Sequence, residues 1–147
     1  MSRTVGDFLV DRLHAWGVRT IYGYPGDGIN GVFGALNRAR DKICFIQVRH
    51  EEMAAFMASA RAKLTGELGV CIATSGPGAT HLVTGLYDAR LDHMPVLAIA
   101  GQQARASMGG HYLTVGDRVE ADGDAHFLAT GNGWAVEAAK VNGKRLK

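Results

Sequence analysis

Four apolar runs without polar alternation constrain the fold of this chain more than any other feature. They cover residues 19–22, 43–48, 68–73 and 95–100, and segments with helical periodicity separate them. Strands that are apolar on both faces are typical of a parallel sheet with helices packed on both sides. We therefore predict an α/β fold built on a parallel sheet.

The predicted helices have recognisable starts and ends. Thr4 followed by Asp7 is typical of a helix start, and Gly17 is suited to end that first helix. Further helices are predicted from Ile29, over residues 51–64, and from the turn at 74–78 through about residue 89.

Charge and composition exclude two classes of partner. The net charge is +2 and the basic residues are scattered, whereas nucleic-acid binding requires a concentrated basic face. No apolar run reaches the about 18 residues that span a bilayer, and charges interrupt the N-terminal segment, so no signal peptide is predicted. Cys44 and Cys71 lie within apolar runs, which predicts buried free thiols in a reducing compartment. We expect a soluble, cytoplasmic protein.

The alternation of strands and helices stops after Leu113. The remaining residues are rich in glycine, and Asn-Gly pairs at 132–133 and 142–143 are typical of hairpin turns. This pattern predicts an irregular or short β C-terminal tail. Its predicted strands, which would pair with each other, cover residues 126–130 and 134–141.

A glycine-rich turn follows the first predicted strand. Residues 26–31 read Gly-Asp-Gly-Ile-Asn-Gly, and Glu51 lies about 20 residues further on, which together fit the fingerprint of a dinucleotide-binding loop. However, Tyr24-Pro25 separates the strand from the glycines, and a helix precedes the strand. The other interpretation is a turn that requires glycine only for its backbone conformation.

Glu51 and the turn at residues 74–78 each have a structural and a functional interpretation. A carboxylate in the first turn of a helix stabilises that helix through its free N–H groups, and a Thr-Ser-Gly-Pro-Gly turn can simply join a strand to a helix. Both segments also follow predicted strands, and ligands of parallel sheets bind beyond the carboxyl ends of the strands. Small residues there let the backbone approach a ligand.

The sequence predicts structural rather than catalytic roles for three histidines and two methionines. His81, His93 and His111 have no spacing that indicates a metal site, so they are predicted to be surface or capping residues and no metal ligand is predicted. Met53 and Met57 lie one helical turn apart, which predicts core positions.

Residues 4–113 resemble the N-terminal, pyrimidine-binding domain of thiamine-diphosphate enzymes of the pyruvate oxidase and acetolactate synthase group. A strand, a His-Glu start of an Ala-rich helix, a Thr-Gly at its end and then TSGPG form a specific pattern of that family. The resemblance implies a truncated pyrimidine-binding domain over residues 1–113 and a divergent tail over residues 114–147. The segments that carry it are IYGYPGDGINGVFGAL and VRHEEMAAFMASARAKLTGELGVCIATSGPGATHLVTGLYDARLDHMPVLAIAGQ.

The resemblance implies thiamine diphosphate as the cofactor and Glu51 as the catalytic residue that hydrogen-bonds N1′ of its aminopyrimidine. That contact favours the imino tautomer that deprotonates the thiazolium, and the resulting ylid attacks a 2-oxo acid such as pyruvate. Gln102 is implied to approach the substrate. The residues implied to line the cofactor pocket are Pro25, Gly26, Thr74, Ser75, Gly76, Pro77 and Gly78.

The motif for magnesium and diphosphate of this family is missing from the sequence. The Gly-Asp-Gly at 26–28 belongs to the pyrimidine-domain loop, and no Asn-Asn pair occurs in the chain. The resemblance therefore implies a partner, in a homodimer or as a chain carrying the diphosphate-binding domain, that supplies the Mg²⁺ half-site. The chain alone is then expected to be inactive. The alternatives are a non-catalytic remnant or regulatory dimerising module and, more distantly, a dinucleotide-binding protein.

Overall fold

The structure is a computed structural model that describes residues 3–102, together with the backbone of residues 126–130, 140–141 and 144–145. Helices and strands follow in the predicted order through residue 101, except that the helix predicted from the turn at 74–78 to about residue 89 is divided into two helices. The helices are α1 (Val5–Ala15), α2 (Asn30–Arg38, after a 3₁₀ turn at Asp27–Ile29), α3 (Glu51–Thr65), α4 (Pro77–His81) and α5 (Val83–Leu91). The strands are β1 (Thr20–Gly23), β2 (Cys44–Gln47), β3 (Gly69–Ala73), β4 (Val96–Gly101), β5 (His126–Thr130), β6 (Lys140–Val141) and β7 (Lys144–Arg145).

Five strands form one parallel sheet in the order β2-β1-β3-β4-β5, which confirms the predicted fold class. The chain moves from β1 to β2 in one direction and then returns to place β3 on the other side of β1. Because crossovers in parallel sheets are right-handed, this reversal puts α2 and α3 on opposite faces. The crevice beyond the carboxyl ends of β1 and β3 is therefore the position where such sheets bind ligands.

Successive strand residues enter two separate hydrophobic cores. Ile21 and Ile72 pack with the buried faces of α1 and α2, whereas the neighbouring Tyr22 and Cys71 pack with α3 and α5. Because side chains alternate between the faces of a strand, a sheet covered on both faces requires apolar residues at every position. This arrangement explains why the strand sequences show no polar alternation.

Helix α3 lies in close contact with both β3 and α5. A Cβ on Gly69 would stand 2.1 Å from the carbonyl oxygen of Ala58, and a Cβ on Gly85 would stand 2.6 Å from the Cβ of Ala55. Backbone proximity therefore requires both glycines. The buried face of α3 consists of small side chains, which allow this approach: Ala54, Ala55, Ala58, Ser59 and Ala62.

The edge strand β2 differs from the sequence prediction of a buried strand over residues 43–48. Ile43 and Val48 at its ends are buried, but the strand between them is largely exposed, because β1 is its only neighbour among the described strands. The prediction that Cys44 is buried is therefore wrong, whereas Cys71 is buried as predicted, and both thiols are free. Met53 was also placed in the core wrongly, since it is exposed on the outer side of α3.

The C-terminal strands pair differently from the sequence prediction. The predicted strand at His126–Thr130 exists and joins the sheet parallel to β4. Lys140–Val141, for which the sequence predicts pairing with that strand, pairs antiparallel with Lys144–Arg145. Residues 134–139 lie outside the described residues, and the division of the chain at residue 113 stays a prediction. Among the described helices, none combines the length and hydropathy needed to cross a bilayer.

Candidate functional site

Loops that follow β1, β3 and β4 meet at the carboxyl edge of the sheet. The backbone N–H of Gly28 donates a hydrogen bond to Thr74 Oγ1 at 3.1 Å. A Cβ on Gly26 would lie 2.5 Å from the Cβ of Thr74, and a Cβ on Gly101 would lie 2.9 Å from the carbonyl oxygen of Gly28. The structure therefore brings the loop at 23–28 and the loop at 74–78 together at the predicted position.

This contact accounts for two of the three glycines in the Gly-Asp-Gly-Ile-Asn-Gly segment. Gly26 and Gly28 both face Thr74 at distances that leave no room for a side chain, whereas a Cβ on Gly31 would meet nothing within 4 Å. Loop-to-loop packing, and not a bound dinucleotide, is thus sufficient to explain why glycine stands at these two positions.

The Thr-Ser-Gly-Pro-Gly turn has a backbone shape that only glycine adopts easily. Gly76 has φ 67° and ψ −125°, and Pro77 occupies the first turn of α4, where its missing N–H costs nothing. A Cβ on Gly78 would stand 2.8 Å from Thr74 Cγ2 and 3.3 Å from Glu51 Oε1. The turn therefore folds back on itself and presents a surface without side chains beside the Glu51 carboxylate.

Glu51 is the first residue of α3, and its carboxylate lies at this edge of the sheet. Only 12% of its side-chain surface is exposed, and His81 Nδ1 lies 3.0 Å from Oε2. The tautomer of the His81 imidazole decides which of the two groups donates in this contact. Glu51 therefore opens a helix, as its structural interpretation predicts, and its largely buried carboxylate lies close to Gly78; its catalytic role stays a prediction.

Two histidines flank Glu51, and sequence analysis did not connect them with it. His50 caps α3, because its Nδ1 accepts a hydrogen bond from the N–H of Glu52 at 3.3 Å. His81 ends α4, and its ring lies against that of His50 with centroids 4.5 Å apart and a tilt of 30°. His81 is 30 residues from Glu51 in sequence. His81 lies in α4, the helix that follows the Thr-Ser-Gly-Pro-Gly turn. This position is the sequence signal that could have linked His81 to Glu51.

The remaining predicted site residues lie at the same edge of the sheet. Gln102 follows β4 directly and is half-buried, next to Gly101, whose Cα packs on Gly28 and Ser75. Pro25 is exposed in the loop after β1. His111 lies outside the described residues.

The arrangement has the features that a planar nitrogen heterocycle requires. The largely buried Glu51 carboxylate can exchange a proton with a ring nitrogen, and His81 holds one of its oxygens. The glycines beside it, Gly26 and Gly78, let the Thr74 side chain pack between the two loops next to the Glu51 carboxylate. These residues therefore fit the pyrimidine end of a thiamine-type cofactor.

Parallel α/β sheets bind ligands at the point where the strand order reverses, which here lies between β1 and β3. The Glu51 carboxylate, in contact with His81, lies at this edge of the sheet. These features are typical of a cofactor-binding domain. A family profile described as "Thiamine pyrophosphate enzyme, N-terminal TPP binding domain" matches residues 3–121. The chain belongs to this family.

Curated relatives place the chain near two kinds of thiamine enzyme. It is 54% identical over 103 residues to pyruvate oxidase of Lactiplantibacillus plantarum. It is 51% identical over 111 residues to a putative thiamine pyrophosphate-containing protein, YdaP, of Bacillus subtilis, and 48% identical over 112 residues to acetolactate synthase of Arthrospira platensis. The matches cover 70–76% of this chain but only 17–19% of each relative.

Proposed function

We propose that this chain supplies the pyrimidine half of a thiamine-diphosphate site that acts on 2-oxo acids such as pyruvate, and that a partner supplies the Mg²⁺ and diphosphate half. The observation that carries this proposal is the largely buried Glu51 carboxylate, which contacts His81 beside two glycine-rich loops. The family and the relatives named as pyruvate oxidase and acetolactate synthase support the choice of cofactor and substrate class.

Glu51 performs the proton transfer in this proposal. When bound, thiamine diphosphate supplies a carbon nucleophile and an electron sink for decarboxylation or transfer. Glu51 holds a proton between its carboxyl group and N1′ of the pyrimidine, and the low exposure of its side chain keeps competing water away. His81 occupies one carboxylate oxygen, so the other is left to face the ring.

A partner is part of the proposal because the outer sides of α3 and α5 carry apolar residues. These positions recur at helical spacing on the sides of both helices that face away from the sheet. Large exposed apolar patches mark surfaces that other chains cover. The exposed residues of this surface, which we call the α3/α5 face, are Met53, Phe56, Leu64, Val83, Tyr87 and Leu91.

The identity of the partner follows from the chemistry that the chain does not provide. Its Gly-Asp-Gly segment is used in the contact with Thr74, and the sequence contains no Asn-Asn pair. We propose a homodimer or a chain that carries the diphosphate-binding domain, and of these only the latter could supply the Mg²⁺ half, because a second copy has the same sequence. Mg²⁺ needs several oxygen ligands in near-octahedral geometry, and the partner would supply them. The free thiols support a cytoplasmic location for the assembly.

The experiment that tests the function is a reconstitution with paired glutamate variants. The tagged chain is recovered from its native cell with whatever binds it, and the complex is assayed for thiamine-diphosphate binding and for consumption of pyruvate. Glu51→Gln is expected to abolish turnover, because the amide cannot share a proton with N1′. Glu52→Gln, one position further along α3, is the matched control and is expected to retain activity.

Two outcomes would contradict the proposal. Turnover that survives Glu51→Gln would show that another group does this work. A complex without thiamine-diphosphate binding or turnover would favour a regulatory dimerising module, and binding of a nicotinamide cofactor would favour the dinucleotide interpretation.

A further inference from the structure

His50, Glu51 and His81 form a compact group of metal-binding side chains. One ligand atom from each can be chosen so that all three lie within 4.8 Å of one another. Helix α3 provides two of them, at its N-cap and first position, and α4 provides the third at its last position. We propose that this group, here called the His-Glu-His cluster, binds a divalent transition metal ion of the Zn²⁺, Ni²⁺ or Co²⁺ class.

The donor set selects that class of ion. Imidazole nitrogens combined with a single carboxylate suit Zn²⁺, Ni²⁺ and Co²⁺, whereas Mg²⁺ prefers an all-oxygen shell. Three protein ligands with an open further position are typical of accessible zinc sites. The cluster is open in this way, because Glu51 is largely buried while His50 and His81 are exposed.

The distances require only a small contraction. Two ligands bound to one Zn²⁺ at 2.0–2.1 Å and a tetrahedral angle lie about 3.4 Å apart, compared with the limit of 4.8 Å in the cluster. Glu51 Oε2 and His81 Nδ1 are already 3.0 Å apart. Coordination through His50 Nδ1 would replace the 3.3 Å hydrogen bond by which that atom caps α3, and a shift of the ring would alter its contact with the His81 ring, whose centroid lies 4.5 Å away.

Local electrostatics limit the affinity. The N-terminus of α3 carries partial positive charge, which opposes a cation, whereas the carboxylates of Glu51 and Glu52 favour one. Because an occupied cluster engages Glu51, the bound metal would compete with any ligand that uses the same carboxylate.

Calorimetric titration of the whole chain with ZnCl₂ tests the cluster without cofactor or partner, so its result is independent of the proposed function. His81→Ala, His50→Ala and Glu51→Gln should each weaken binding tenfold or more, since loss of even an outer-shell partner of a metal typically costs 10–100-fold. His14→Ala, on α1, is the matched control and should bind as the wild type does. Circular dichroism of each variant confirms that the fold is kept.

Titration with CoCl₂ adds a spectroscopic test, because its visible absorption reports the ligands and their geometry. A band that disappears in His81→Ala supports the cluster. Unchanged Zn²⁺ affinity in both His50→Ala and His81→Ala would overturn the proposal, as would Mg²⁺ binding as tightly as Zn²⁺.

Discussion

Two cysteines of similar sequence context have opposite environments in the fold. Cys71 lies on the central strand β3 between the two layers of helices, and burial raises the pKa of its thiol to about 12. Cys44 lies on the edge strand β2 and is exposed. Both stand in short apolar runs, so the sequence predicted the same burial for both. What distinguishes them is the order of the strands, which depends on contacts between distant parts of the chain.

The cysteines provide a prediction at the scale of single residues. In the native chain, Cys44 should react with Ellman's reagent within the mixing period, whereas Cys71 should react only after unfolding, because the thiolate is the reactive form. The measurement is the number of thiols modified with and without denaturant, with Cys44→Ser as the control. Rapid modification of native Cys44→Ser would contradict the burial of Cys71.

The Glu51 environment shows which part of the site could be predicted from sequence. The position of Glu51 after a strand and at a helix start was visible, as were the two glycine-rich loops. The pairing with His81 was not, because it depends on where α4 ends relative to α3. The roles of Pro25, Gln102 and the cofactor-lining residues stay predictions.

The sequence predicted where helix α1 begins, but it did not predict the ion pair between Asp7 and Arg38 that joins α1 to α2. Thr4 and Asp7 form a capping box, as their spacing indicated. Hydrogen bonds from the backbone and side chain of Thr4, followed by one from Arg38, lower the pKa of Asp7 to about 2. Arg38 is 31 residues away on α2, so this contact follows from helix packing rather than from local sequence.

The lowered pKa of Asp7 leads to a prediction for the stability of α1. A carboxyl group whose pKa is depressed on folding stabilises the protein above its unfolded pKa, and this contribution is lost as the pH falls through the folded value. Asp7→Asn should therefore lower the free energy of unfolding at neutral pH, and the difference should shrink between pH 3.8 and about 2. Urea denaturation at several pH values measures it.

The control for this variant is Asp41→Asn, in the exposed turn after α2, which should leave the free energy of unfolding nearly unchanged. A difference for Asp7→Asn that stays constant across the pH range would contradict the capping role of the charge.

The helices also show that hydrophobic periodicity alone does not predict where one helix ends and the next begins. The sequence predicted one helix from the Thr-Ser-Gly-Pro-Gly turn to about residue 89, but the structure has two, α4 and α5, joined at Leu82. Leu82 is fully buried. The spacing of Met53 and Met57 predicts core positions for both, but only Met57 packs against the core, whereas Met53 is exposed.

At the scale of the whole molecule, both layers of helices expose large apolar side chains. Helix α1 exposes Val5 and Phe8, and α3 and α5 expose the larger set that forms the α3/α5 face. The parallel sheet could be predicted because the central strands β3 and β4 are apolar at every position. The parallel place of β5 could not, because its pairing with β4 is set by long-range contacts.

The α3/α5 face provides a prediction about assembly. Phe56→Gln combined with Tyr87→Gln should weaken association of the chain with itself or with its partner, because both side chains are exposed on this face. Sedimentation velocity over a range of concentrations measures the change. Phe8→Gln is the matched control, since Phe8 on α1 is 53% exposed compared with 41% for Phe56. Equal weakening by both changes would rule out a specific role for the face.

The contacts of α3 with Gly69 and Gly85 restrict which amino-acid substitutions the protein tolerates around this helix. The helix that begins with Glu51 is held against β3 at Gly69 and against α5 at Gly85, with no space for a methyl group at either point. Any larger residue there pushes the helix outward and carries the carboxylate with it. Substitutions that change packing around α3 will therefore also change the chemistry at its first residue, so stability and activity are expected to vary together along this helix.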